Sequence, residues 1–139
     1  MPSILITGGA GFIGVNAALH FAQRGWEVAI LDNLSRRGTD RNLAWIQERS
    51  PSVRFHRVDI RDDQALAAVV RQERPDMLLH LAAQVAVTTS YTDPREDFAI
   101  NALGSFNVME AVRLEAPEAF VLYASTKKVY GGMENVPVE

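Results

Sequence analysis

The sequence predicts an α/β fold built on a doubly wound parallel sheet of five strands. Short β-branched or leucine-rich runs alternate with longer segments of helical periodicity, the pattern of strand-helix-strand units covered on both faces. Glycines also fall where the first strand would turn into the first helix. Ser3 to Thr7 reads as a strand and Phe12 to Arg24 as an apolar helix, with Gly25 where a C-terminal cap belongs. A second strand, Glu27 to Leu31, precedes a helix over Arg41 to Glu48. A third, Val53 to Val58, precedes a helix over Asp62 to Glu73, which Asp62 can cap. Met77 to Leu81 forms the fourth strand, and Asp93 to Glu115 is one long helix with Pro94 at an N-terminal position. Phe120 to Ala124 completes the set. No repeat, linker or low-complexity segment interrupts the series.

A chain of 139 residues suits one compact domain with a single core. About half its residues are hydrophobic and its net charge is only -3, so neither disorder nor a polyanion-binding surface is expected, and nucleic acid is not an expected partner. The absence of cysteine removes disulfides, thiolate zinc sites and cysteine nucleophiles, and the three histidines have no ligand spacing, so no metal is expected. No apolar run approaches the roughly 20 residues of a membrane span, and Ile4 to Ile6 is too short for a signal-peptide core. A cytoplasmic protein without a membrane partner is the expectation.

The loop Thr7-Gly8-Gly9-Ala10-Gly11-Phe12-Ile13-Gly14 reads as Gly9-x-Gly11-x-x-Gly14 or as Gly8-x-x-Gly11-x-x-Gly14. Either spacing meets the needs of a phosphate cradle: a tight turn, close backbone approach to a pyrophosphate, and close packing of helix on strand. Asp32 then ends the second strand, near the offset of about 20 residues at which a carboxylate accepts from both ribose hydroxyls. A 2′-phosphate would be repelled there, so NAD is the expected cofactor. Arg36 and Arg37 lie just beyond, and they fit a solvated loop or a rescue of NADP binding equally well.

These residues resemble the N-terminal part of an extended short-chain dehydrogenase/reductase, of the NAD-dependent nucleotide-sugar epimerase and dehydratase group, with a Rossmann-type fold. The likeness rests on TGGAGFIG at 7–14, LDNLS at 31–35, Asp59-Ile60, HLAAQVAV at 80–87, Asn101-Ala102-Leu103-Gly104 and STKKVYG at 125–131. Three stretches, DNLSRRGTDRNLAWI, HLAAQVAVTTS with DPREDFAIN, and STKKVYG, resemble the branch acting at C2 of CDP-sugars. The resemblance implies that Gly8, Gly11 and Gly14 shape the loop and that Phe12 and Ile13 offer amides to the pyrophosphate. It places Asp32 and Asn33 at the adenosine ribose, Asp59 and Ile60 beside the adenine, and Leu81, Ala82 and Ala83 along the cofactor. Duller roles stand beside these: core packing for Ile60, Leu81 and the alanines, a turn or cap for Asp59. His80 is expected to be structural, and Asn101 to satisfy backbone groups within its own helix.

The family's chemistry removes a hydride from a sugar carbon and returns it to the opposite face. It uses a serine or threonine hydroxyl, which the resemblance places at Thr126 with Ser125 as the fallback, and a tyrosine acidified by a lysine four residues later on a helix. Tyr123 and Lys127 have that spacing, but Tyr123 ends a strand, where four residues span about 13 Å against about 6 Å for one helical turn, so they cannot be the pair. Tyr130 has Glu134 four residues on. The tail Asn135 to Glu139 resembles the loop before the helix that carries the pair, so residues 1–139 are expected to be the N-terminal part of an NAD-binding domain. The remaining strands and the sugar-binding domain would be absent, leaving the fifth strand as an exposed edge prone to association. The resemblance implies a nucleotide-sugar substrate and a homodimer formed through the long helix. The alternatives are a non-catalytic dinucleotide-binding module, a UDP-sugar 4-epimerase or another nucleotide-sugar-modifying relative. A 4,6-dehydratase is disfavoured because Lys127-Lys128 stands where those relatives carry an acidic pair.

Overall fold

The computed structural model describes residues 1–131; Glu134 and the tail over 135–139 lie outside the described residues. Strands β1 (Ser3–Thr7), β2 (Glu27–Asp32), β3 (Arg54–Arg57), β4 (Met77–His80) and β5 (Phe120–Tyr123) form one parallel sheet in the order β3-β2-β1-β4-β5. Helices α1 (Phe12–Ala22), α2 (Thr39–Arg49) and α3 (Asp63–Glu73) connect the first strands. Between β4 and β5 run α4 (Val87–Thr92), α5 (Pro94–Phe98), a π-helical turn (Ala99–Gly104) and α6 (Ser105–Glu115).

The period-two alternation of side chains along a strand sorts the apolar residues onto two faces. Leu5, Ala29, Leu31 and Leu78 point to one face, where they meet Leu66, Val69 and Val70 of α3 and Val108 and Val112 of α6. Ile4, Ile6, Val28, Ile30 and Leu79 point to the other, against Val15 and Ala18 of α1 and Ile46 of α2. Each fully buried Leu or Ile stabilises the fold by roughly 1.5–3 kcal/mol, so β1 and its neighbour β2, buried almost throughout, anchor both layers. Among the described residues, strand β5 lies at the end of the sheet, with Phe120 64% exposed and Leu122 and Tyr123 each 47% exposed.

Several elements differ from expectation. Strand β3 is shorter, because the Val53 amide turns to Ser50 O rather than joining the ladder. Gly25 is not the C-cap of α1: Gln23 is, and Gly25 uses its positive φ of 78° in the turn into β2. Asp62 does cap α3, accepting from the Ala65 amide at 3.0 Å. The long helix begins with Pro94 in its first turn as expected, yet its second turn is widened into a π-helix, where buried Gly104 meets Ile60. A Cβ on Gly104 would stand 2.6 Å from Ile60 Cδ1. Helix α4 went unforeseen, since its Val-Thr-Thr content hides a helix in a segment without amphipathic periodicity.

Candidate functional site

Helix α1 leaves β1 for one face of the sheet, while the connection after β4 leads to α6 on the other. Neighbouring strands whose connections diverge open a crevice beyond their carboxyl ends. Gly8 and Gly11 of the first loop line it, together with Asp32 at the end of β2, Asn33 just beyond it, and Asp59 and Ile60 after β3. Leu81, Ala82 and Ala83 form the opposite wall.

The glycine loop fits its place through contacts that exclude side chains. Gly8 has φ +68°, and a Cβ there would stand 2.7 Å from the Ala82 amide nitrogen, so the loops after β1 and β4 touch backbone to backbone. Gly14 faces inward rather than into the crevice, its Cα packed where a Cβ would press on the Gly8 carbonyl and lie 2.7 Å from Gly9 Cα. Phe12 and Ile13 begin α1 with their side chains 80% and 66% exposed. No side chain caps this helix and its first turn holds no acid, which leaves its amides and the positive end of its dipole for an anion.

Asp32 anchors the adjoining loops. Its Oδ2 accepts from the Ala10 amide at 3.1 Å and its Oδ1 from the Leu34 amide at 2.8 Å. Each oxygen keeps acceptor capacity toward the crevice, so the carboxylate can take hydroxyl donors without giving up either bond. The Asn33 amide donates to Asp59 Oδ2 at 2.9 Å, and its carbonyl accepts from both the amide and the hydroxyl of Ser35. Asp59 is also gripped by the Arg61 guanidinium through both oxygens, at 2.9 and 2.7 Å, and accepts from the Arg61 amide. The hydrogen bond from Arg61 is the main cause holding this carboxyl well below the usual carboxylate range. Asp59 is therefore both a turn residue and part of the lining, and Ile60 both core and lining.

His80 is buried, with Nδ1 2.6 Å from Thr7 Oγ1 and Nε2 3.1 Å from Ser105 Oγ. Burial lowers its pKa from 6.5 to about 4, so it is neutral at pH 7. Asn101, contrary to expectation, satisfies backbone groups outside its own helix: its carbonyl accepts from the Gln84 amide at 2.8 Å and its amide donates to Gln84 O at 2.9 Å, while within the helix the amide meets only a side chain, Asp97 Oδ1, at 3.1 Å. A pair of bonds to one residue's backbone ties the loop after β4 to the π-turn.

Thr126 is not among the crevice residues. It is exposed beyond β5, where it caps a short 3₁₀ turn (Lys127–Tyr130) by accepting from the Lys128 amide at 3.3 Å. Tyr123 indeed ends a strand, and its hydroxyl lies 3.5 Å from Ser105 Oγ, on the side of α6. Sequence reasoning missed Thr39 and Ile100, which also line the crevice, and the clamp of Arg61 on Asp59. The adjacency of Asp59 and Arg61 was the one available signal for that clamp. Arg36 joins the lining, while Arg37 does not. Among the described residues no cluster could hold a metal ion, and no helix is long and apolar enough to cross a membrane.

A parallel α/β sheet with a glycine-rich turn, an uncapped helix start and a carboxylate after the second strand defines a dinucleotide-binding class of protein. More narrowly, the chain belongs to the family described as GDP-mannose 4,6 dehydratase, which it matches over residues 5–139. It is 41% identical over 131 residues to CDP-paratose 2-epimerase of Salmonella typhi, covering 94% of this chain and 38% of that protein. The structure of UDP-glucose 4-epimerase from Stenotrophomonas maltophila, with bound NAD and formylated UDP-arabinopyranose, superposes with a TM-score of 0.86 at 30% identity, covering 99% of this chain and 41% of that one. The UDP-glucose 4-epimerase of Thermus thermophilus, in complex with NAD, gives 0.69 at 42% identity, covering 80% and 33%. The chain thus spans about two-fifths or less of the length of these relatives.

Proposed function

We propose that residues 1–139 form the N-terminal, cofactor-holding part of the NAD-binding domain of a nucleotide-sugar epimerase that acts at C2 of a CDP-sugar. The single observation that carries the cofactor assignment is the Asp32 carboxylate, fixed by the Ala10 and Leu34 amides at the edge of the crevice. In this position it accepts from the two ribose hydroxyls of NAD and repels the 2′-phosphate of NADP. Gly8 and Gly11 admit the pyrophosphate, which the Phe12 and Ile13 amides bind, and Gly14 keeps the loop seated on α1. Asn33, Asp59 and Ile60 flank the adenosine, and Leu81, Ala82 and Ala83 lie along the cofactor. When bound, NAD supplies hydride exchange with a sugar carbon. Thr126 is the proposed hydroxyl on the sugar side. The likeness to CDP-paratose 2-epimerase supports C2 of a CDP-sugar, and the likeness to UDP-glucose 4-epimerases supports C4 of a UDP-sugar as the second reading.

The cofactor assignment is tested by isothermal calorimetry of the chain with NAD and with NADP. NAD should bind at one site and NADP more weakly; tighter NADP would move the weight from Asp32 to Arg36. The substrate assignment is tested on the full-length protein by incubation with CDP-paratose and with UDP-glucose. Interconversion at C2 of the former is expected, and turnover of UDP-glucose alone would replace the first reading by the second.

A further inference from the structure

Thr7 and His80 are register partners at the ends of β1 and β4, the two strands between which the crevice opens. The Leu81 amide, which donates to the Thr7 carbonyl at 3.1 Å, also lies 3.2 Å from Thr7 Oγ1, and the Ala82 amide lies 3.3 Å from it; both can only donate. An oxygen that accepts from both has its own hydrogen left to give, and His80 Nδ1, 2.6 Å away, is the acceptor it meets. His80 therefore carries its proton on Nε2 and donates it to Ser105 Oγ. The opposite tautomer would aim a third donor at the same threonine oxygen.

We propose that His80 is a positioning residue that, by orienting the Thr7 hydroxyl, sets the separation of the glycine loop and the loop after β4 and hence the fit of the dinucleotide. This inference rests on the dinucleotide function proposed above. Its geometry is direct: Ala82, held through its amide by Thr7, is the residue whose nitrogen would lie 2.7 Å from a Cβ on Gly8. With backbone against backbone, no side chain is present to take up a change in spacing. His80 also reaches Ser105 in the first turn of α6, so it ties both crevice strands to the helix behind them. His80 itself is not among the residues that line the crevice.

The test compares NAD affinities, by calorimetry, of the wild-type chain, Thr7→Val, His80→Leu, the double variant, and His80→Asn, whose carbonyl stands near the position of Nδ1. Thr7→Val and His80→Leu should each weaken binding about tenfold, the cost of an unmet buried polar group. The double variant should also lose about tenfold rather than about a hundredfold, because both changes cut one link. His80→Asn should stay within about threefold of wild type. Nitrogen-15 spectra of the His80 ring should show Nδ1 bare and Nε2 protonated, with the Nδ1 signal moving in Thr7→Val. Unchanged affinity in Thr7→Val, which keeps the shape of the side chain, would overturn the inference, as would additive losses or a protonated Nδ1. Wild-type chain that binds no NAD would overturn the dinucleotide function itself, and this inference with it.

Discussion

The loops after β1, β2 and β3 and the loop after β4 face one crevice but are fixed by different means. On the first side the links are ionic or charge-assisted and lie at partly exposed turns: Asp32 holds two amides, and Asp59 takes donors from Asn33 and Arg61. On the second side they are mostly neutral: Thr7 to His80, His80 to Ser105, Asn101 to Gln84. The difference teaches a division of labour. Carboxylates and free amides can recognise a polar ligand directly, whereas neutral hydrogen bonds behind the wall can only place it.

Changes on the two sides should therefore fail differently, and the largest effect belongs to the glycine loop. Gly14→Val would push the Gly8 and Gly9 backbone, so urea melts should show roughly 3 kcal/mol lost along with NAD binding. Normal NAD affinity in that variant would break the claim that the close backbone packing of the glycine loop is needed to seat the dinucleotide. Next comes acid sensitivity on the second side. His80 titrates at about 4 when folded against 6.5 ordinarily, so between these pH values only the unfolded chain takes up the proton. Stability then falls as pH drops through that window, by about 3 kcal/mol from this group, and levels off below it. Urea melts across pH 4–7 should show a shallower fall in His80→Asn than in wild type, since the other titrating groups are the same in both.

Smaller effects sharpen the first side. Asp32→Ala leaves the Ala10 and Leu34 amides without their partner and removes the ribose acceptor, so NAD affinity should fall about 10–100-fold by calorimetry. NADP should lose much less, with Arg36 still in the lining. Arg61→Ala should change stability by less than about 1 kcal/mol, because the pair is partly exposed. Its readout is the Asp59 carboxyl, which should titrate closer to the ordinary range in carbon-13 spectra once the guanidinium is gone.

What was legible in the sequence divides along the same line. The glycine loop and Asp32 could be read because they lie at the ends of strands, where residues of a parallel sheet converge on one crevice, and Asp59 through the family resemblance. The sheet was legible because strands buried on both faces leave continuous apolar runs. The partners of His80 and Asn101 were not, since Ser105 and Gln84 are joined to them only by the packing of α6 and the π-turn against β4 and its loop. The π-turn itself adds no residue type that marks it, and α4 lacks the apolar stripe by which helices are found.

The central claim, that this chain holds NAD through the Asp32 carboxylate, is tested most directly by titrating it with NAD and NADP side by side. Saturable one-site binding of NAD, tighter than NADP and weakened in Asp32→Ala, is the predicted result. No NAD binding, or NADP bound more tightly than NAD, would contradict it.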